Sequence, residues 1–155
     1  MTITRRFSLI AALLIAAGVH AAELPYNEAA DAKVELKRAL ARGQAAKKPV
    51  LVIFGANWCQ DCRALDTAVK SGKNAELLAQ EFEVVKVDVG NFNRNLDLAA
   101  QYGNPIKKGI PAAVIVSPDN KVLYATRAGE LADARSMNEG DVYAFFAKAA
   151  KTAKP

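Results

Sequence analysis

Val50-Leu51-Val52-Ile53-Phe54 is an unbroken apolar run rich in β-branched residues, bounded by Pro49 and Gly55. Its length is that of a strand, and the absence of polar alternation means that both faces are covered. A strand dry on both sides needs helices above and below its sheet, so this segment points to an α/β domain. The rest of the chain supplies those layers in order. Asn27 is placed to cap a helix running to about Arg42, with Ala29, Ala32, Leu36 and Leu40 near one face. After the apolar run, a helix is expected from close to Cys59 to Val69, stopped by Ser71-Gly72, and Asn74 is expected to cap a short helix through Ala79. Phe82 to Val89 reads as a second strand, with Val85, Val87 and Val89 on one side. Asn95 to Tyr102 reads as a helix closed by Gly103.

Ala112–Val116 and Val122–Ala125 flank the turn signal Ser117-Pro118-Asp119-Asn120 and should pair as a hairpin. The last helix carries Val142, Phe145, Phe146 and Ala149 at i, i+3, i+4 and i+7, with Asn138 as its cap and Met137 as a staple against Val142. Strands separated by helices imply parallel neighbours, and the hairpin adds an antiparallel one. The expected architecture is a mixed sheet of about four strands flanked by helices.

Length and composition bound the rest. At 155 residues, 52% hydrophobic and 24% charged, the chain is too short for two ordinary domains and too apolar for disorder. Met1 to Ala22 stands apart: Arg5-Arg6 precede an apolar stretch of 13 residues, Phe7 to Val19, and Val19-His20-Ala21 offers a small-residue cleavage site. Thirteen residues fall short of the roughly 20 that span a bilayer as a helix. We therefore read 1–21 as a signal peptide for ordinary Sec export and 22–155 as a single domain with a core over about 50–151. An uncleaved anchor is the competing reading.

Cleavage after Ala21 leaves 134 residues and, with two of 21 basic residues and no acidic ones removed, a net charge of +3. That excess is thinly spread, so no nucleic-acid partner is expected. His20, the sole histidine, leaves with the signal, which excludes imidazole catalysis and imidazole metal ligands from the mature chain.

Phe54-Gly55-Ala56-Asn57-Trp58-Cys59-Gln60-Asp61-Cys62 carries a strand into a C-x-x-C at a helix start. Thiol–disulfide exchange needs one thiolate to attack and a second thiol close by to resolve the mixed disulfide. A helix N-terminus favours the thiolate of Cys59. Cys62 shares a helical face with Leu65 and Val69, so it should point inward as the resolving thiol while Cys59 stays at the mouth. A zinc site would need four ligands, which two cysteines cannot supply. A static bridge is the other reading, although so short a loop constrains the unfolded chain little. No metal and no cofactor is expected.

Trp58-Cys59-Gln60-Asp61-Cys62, followed some fifty residues later by Gly109-Ile110-Pro111 before a strand, resembles the thioredoxin family, and the element order from Val50 to Lys151 agrees. The match is nearest to exported bacterial relatives with an Ala-x-Trp-Cys-x-x-Cys core. The resemblance implies a cis Ile110–Pro111 peptide lying against the cysteines, with the Ile110 backbone free to pair with an extended substrate segment; Trp58 reads either as shaping the same surface or as a packing aromatic. It also exposes departures. Ile53 stands where thioredoxin keeps a buried Asp implicated in proton transfer with the resolving thiol, so another group or water must do that work. Asp61 replaces the usual Pro; with Gln60 it is a candidate for tuning the pair, and its charge should oppose the Cys59 thiolate. Lys86 falls where the family often keeps a Lys near the site, a solvated strand lysine being the alternative. The loop from Tyr102 to Pro111 is longer than thioredoxin's, which reads as a solvated insertion.

Together these features lead us to expect a periplasmic thiol–disulfide oxidoreductase, a monomer that reduces or isomerises disulfides of exported proteins and is recharged by a membrane thiol–disulfide carrier. A non-catalytic binding module of the same fold, or an accessory protein of copper or cytochrome c maturation, is the alternative.

Overall fold

The computed structural model describes residues 23–154; the signal segment expected over 1–21 lies outside the described residues. Four strands form one sheet in the order β2-β1-β3-β4: β1 (Val50–Gly55), β2 (Glu83–Asp88), β3 (Ala112–Val116) and β4 (Val122–Ala125). β1 runs parallel to β2, with Ile53 opposite Lys86, and antiparallel to β3, with Phe54 opposite Ala112. β3 and β4 form the expected hairpin. Every residue of β1 is buried, as its unbroken apolar sequence requires. The mixed four-stranded sheet is therefore the one the sequence implies.

Five α-helices cover the sheet: α1 (Ala32–Ala46), α2 (Gln60–Val69), α3 (Gly72–Glu81), α4 (Leu96–Gln101) and α5 (Glu139–Thr152). Side-chain alternation along β1 divides the core in two. Val50, Val52 and Phe54 join Leu36 and Ala39 of α1 and Leu98 and Ala99 of α4. Leu51 and Ile53 join Leu65 of α2, Leu78 of α3 and Val142, Phe146 and Ala149 of α5. α5 starts with a full capping box between Asn138 and Asp141.

Two helix starts differ from expectation. α1 is capped by Asp31, whose carboxylate accepts from the backbone N–H groups of Lys33 and Val34. Asn27 instead turns the chain locally by accepting from Ala29 N–H; both residues are good caps, and the one next to the apolar face prevails. Asn74 lies inside α3, fully buried, with its amide donating to the Glu139 carbonyl. A buried tie between helices outweighs its preference for a terminus. The loop from Tyr102 to Pro111 also differs from a solvated insertion. Its 3₁₀ turn, Pro105–Lys108, buries Pro105 and Ile106 and leaves only the two lysines exposed.

Candidate functional site: the Cys59–Cys62 bridge

β1 ends at Gly55, and the chain turns through Ala56-Asn57-Trp58 into α2, whose N-cap is Cys59 itself. Its Sγ stands in for a capping oxygen, accepting from the backbone N–H of Cys62 at 3.1 Å. An N–H aimed at this sulfur at the positive end of a helix is the arrangement that stabilises a thiolate there. Cys59 and Cys62 are joined as a disulfide with Cα atoms 5.2 Å apart.

The bridge has an open side and a closed side. Cys59 lies at the floor of a surface cleft lined by Trp58, Gln60, Asp61, Phe92, Ile110 and Arg135. The Ile110–Pro111 peptide is cis, and the Ile110 carbonyl oxygen is 3.6 Å from Cys59 Sγ. Trp58 is 54% exposed, its indole N–H donates to the Gly90 carbonyl, and its ring meets Phe92 edge-on. Phe92 holds φ at +57°, a left-handed conformation costly for a bulky residue, and keeps its ring on the surface. Asp61 is not left to act on Cys59 alone. The backbone N–H and Nε of Arg135 both donate to its Oδ1 at 3.0 Å, and Arg135 Nη1 donates to Gln60 Oε1 at 2.6 Å. The opposing charge foreseen at Asp61 is therefore paired with a guanidinium from the turn before α5.

Behind the bridge, Cys62 is 1% exposed and borders a narrow pocket with Tyr26, Ile53, Leu65, Asp66, Val69 and Lys86. Ile53 brings no polar group to it. Lys86 is not a freely solvated strand lysine: its ammonium pairs with Asp66, which Lys70 also holds, at 2.9 Å. Tyr26 enters from the segment before α1. Its backbone is strapped by Asn57, which accepts from Tyr26 N–H and donates to Tyr26 C=O, both at 2.9 Å. Burial above all, then the charges of Asp66 and Asp88, pushes the Tyr26 phenol above its ordinary range. Among the described residues no group of acidic, Cys or His side chains is arranged to hold a metal, and no helix is long and apolar enough to cross a membrane.

A strand that delivers a C-x-x-C disulfide to a helix N-terminus, faced by a cis-proline, defines a thiol–disulfide oxidoreductase of thioredoxin-like fold, and residues 31–118 match the thioredoxin-like family model. The chain belongs to that family. Among solved structures it is similar to a disulphide isomerase from Xylella fastidiosa Temecula1, at 57% identity over 83% of this chain and 98% of that one, with a TM-score of 0.81. It shares its fold with a DsbH oxidoreductase, at 20% identity over 74% of this chain and 78% of that one, TM-score 0.54. A thioredoxin from Thermus thermophilus shares it too, at 21% identity over 74% and 80%, TM-score 0.53. A search of curated proteins returned no match.

The structure thus gathers Trp58, Cys59, Gln60, Asp61 and Ile110 at one cleft, with Pro111 joined to Ile110 through the cis bond, and sets Lys86 apart behind Cys62. Sequence reasoning missed Tyr26, Asp66, Phe92 and Arg135. Asp66 alone carried a signal, since it follows Cys62 by one helical turn and shares its face.

Proposed function

We propose that Cys59 is the attacking sulfur and Cys62 the resolving sulfur of a cycle that reduces or isomerises disulfides of exported proteins in the periplasm. What carries this reading is the asymmetry of the bridge: Cys59 lines an open cleft and accepts an N–H at a helix start, while Cys62 is sealed behind it. In the reduced protein the Cys59 thiolate attacks a client disulfide and displaces one client sulfur. Cys62 then attacks Cys59, releases the second client sulfur and restores the intramolecular bridge. Trp58 and Ile110 border the cleft where the client backbone would lie, and Pro111 offers no N–H that would pair with it. Gln60, Asp61 and Arg135 adjust the charge next to the attacking sulfur. The similarity to a disulphide isomerase and the signal-like segment support the isomerase and export parts. A membrane thiol–disulfide carrier would return the pair to the dithiol state.

The test is to express full-length Cys62→Ser in the periplasm and recover what remains disulfide-linked to Cys59. Client proteins released by reductant are the expected result. Recovery of the variant with no covalent adduct, or of adducts that survive Cys59→Ser, would refute the assignment.

A further inference from the structure

A buried resolving thiol must become a thiolate to attack, and a charge created at 1% exposure is costly unless a donor faces it. In the disulfide form the pocket behind Cys62 is too narrow for a water molecule, so the donors at hand there are side chains. The groups facing Cys62 there are Ile53, Leu65 and Val69, which are apolar, and Tyr26, Asp66 and Lys86, which are not. Lys86 is already committed to Asp66, and Asp66 to Lys86 and Lys70.

Among the described residues the hydrogen bonds of Tyr26 are made by its backbone, and in the disulfide form its hydroxyl is bonded neither to another side chain nor to Cys62 Sγ. A Cβ built on Gly55 would overlap that hydroxyl and come within 2.9 Å of Cys62 Sγ, so the hydroxyl and the sulfur flank the space that this glycine leaves free. The phenol is held in its protonated form by burial and by the carboxylates near it, which makes it a donor throughout the neutral range. Its position is built in, because Asn57 in the active-site turn grips the Tyr26 backbone from both sides. Tyr26 also precedes the span 31–118 matched by the family model, so this feature is supplied from outside the matched region.

We propose that the Tyr26 hydroxyl donates a hydrogen bond to the Cys62 sulfur as it becomes a thiolate, taking over a task that no strand carboxylate performs in this chain. The inference rests on Cys62 being the resolving thiol. In the step concerned, Cys62 gives up its proton, which ends in solvent. The Cys62 thiolate attacks Cys59 Sγ, the Cys59–Cys62 bond forms, and the Cys59–client bond breaks. The client sulfur departs with that electron pair and takes a proton from water. Over both steps the client disulfide gains two electrons and two protons, and the protein dithiol loses them.

The two steps are read separately when the reduced protein meets the aromatic disulfide DTNB in a stopped-flow mixer. One coloured thiolate is released when Cys59 attacks, and a second when Cys62 resolves. Tyr26→Phe keeps the ring and removes only the donor. It should leave the first release at the wild-type rate and slow the second about tenfold, the scale of one hydrogen bond to a charged sulfur. The Cys62 thiol pKa, followed by carbon NMR, should rise in the same variant. A second release within about twofold of wild type, or equal slowing of both releases, would overturn the role of Tyr26. Cys62→Ser run alongside keeps the two claims apart. If it yields one release and a stable adduct, the resolving role stands whatever Tyr26→Phe shows; if it still yields two, that role itself fails.

Discussion

Around Cys59 the surface is open and mixed, with an indole and a phenyl ring on one wall and a guanidinium–carboxylate pair on the other. Around Cys62 it is closed, with three aliphatic side chains, one phenol and one ion pair, and no room for water. The two sulfurs share a covalent bond and are three residues apart, yet one borders an open cleft and the other a narrow pocket. Solvent can supply or remove protons and screen charge at the first. At the second the groups nearest to meet a proton or a charge are side chains already in place. Substitutions on the two sides should therefore differ in kind as well as in size.

The largest difference should come from the sulfurs themselves. Cys59→Ser removes the only nucleophile the cleft presents, and thiol-dependent reduction of a protein disulfide should fall by roughly a thousandfold or more. Turnover that persists in Cys59→Ser would erase the distinction between front and back. Next in size is Asp66→Ala. It leaves the Lys86 ammonium, only 23% exposed, without its carboxylate. Losing one member of such a pair should cost about 2 kcal/mol after allowing for that partial exposure, read as a lower urea midpoint at unchanged slope. The equivalent truncation at the front, Arg135→Ala, breaks a pair whose arginine is more than half exposed and should barely move the midpoint.

Charge at the front should show itself in redox behaviour instead. Arg135→Gln leaves Asp61 uncompensated beside Cys59 and should raise the Cys59 thiol pKa by about half a unit. Asp61→Asn should lower it, and the double variant should return close to wild type. Because the pair of charges nearly cancels in the native protein, the reduction potential should lie below about −120 mV, the strongly oxidising end of the range. Titration against glutathione checks both statements, and equal shifts in all three variants would mean that Arg135 acts through shape alone.

The smallest effect separates the closed side by pH. The folded chain holds the Tyr26 proton more tightly than an unfolded tyrosine of ordinary pKa 10.0. The stability this contributes is complete below pH 10 and is lost as pH rises beyond it. Tyr26→Phe should therefore lose stability less steeply than wild type above pH 10. Tyr102 and Tyr124, also raised by burial, keep contributing in both proteins.

Much of the open side was legible in the sequence because it is local. Trp58 to Cys62 are consecutive, and a strand followed by a helix fixes which of two cysteines caps the helix. The sheet was legible for the same reason, as β1 announces its own double burial and the last helix its apolar stripe. The closed side was not, because its parts are joined only by the fold. Tyr26 reaches Cys62 across 36 positions of chain, and Arg135 reaches Asp61 across 74. No spacing rule links such residues. Asp61 shows the consequence: its charge was readable, but the arginine that offsets it lies on a short 3₁₀ turn with no periodic signature. The misplaced caps have a related cause. Asn27 and Asn74 are both good terminators by type, and tertiary contacts assigned them other work.

The strap between Asn57 and Tyr26 bears on how this domain should be handled. A fragment trimmed to begin at residue 31 would retain every strand and helix and would look intact by circular dichroism. It would nevertheless have lost one wall of the chamber behind the second sulfur, letting bulk solvent reach it. Such a fragment would be expected to exchange disulfides by a different route from the parent, and kinetics measured on it would describe another enzyme.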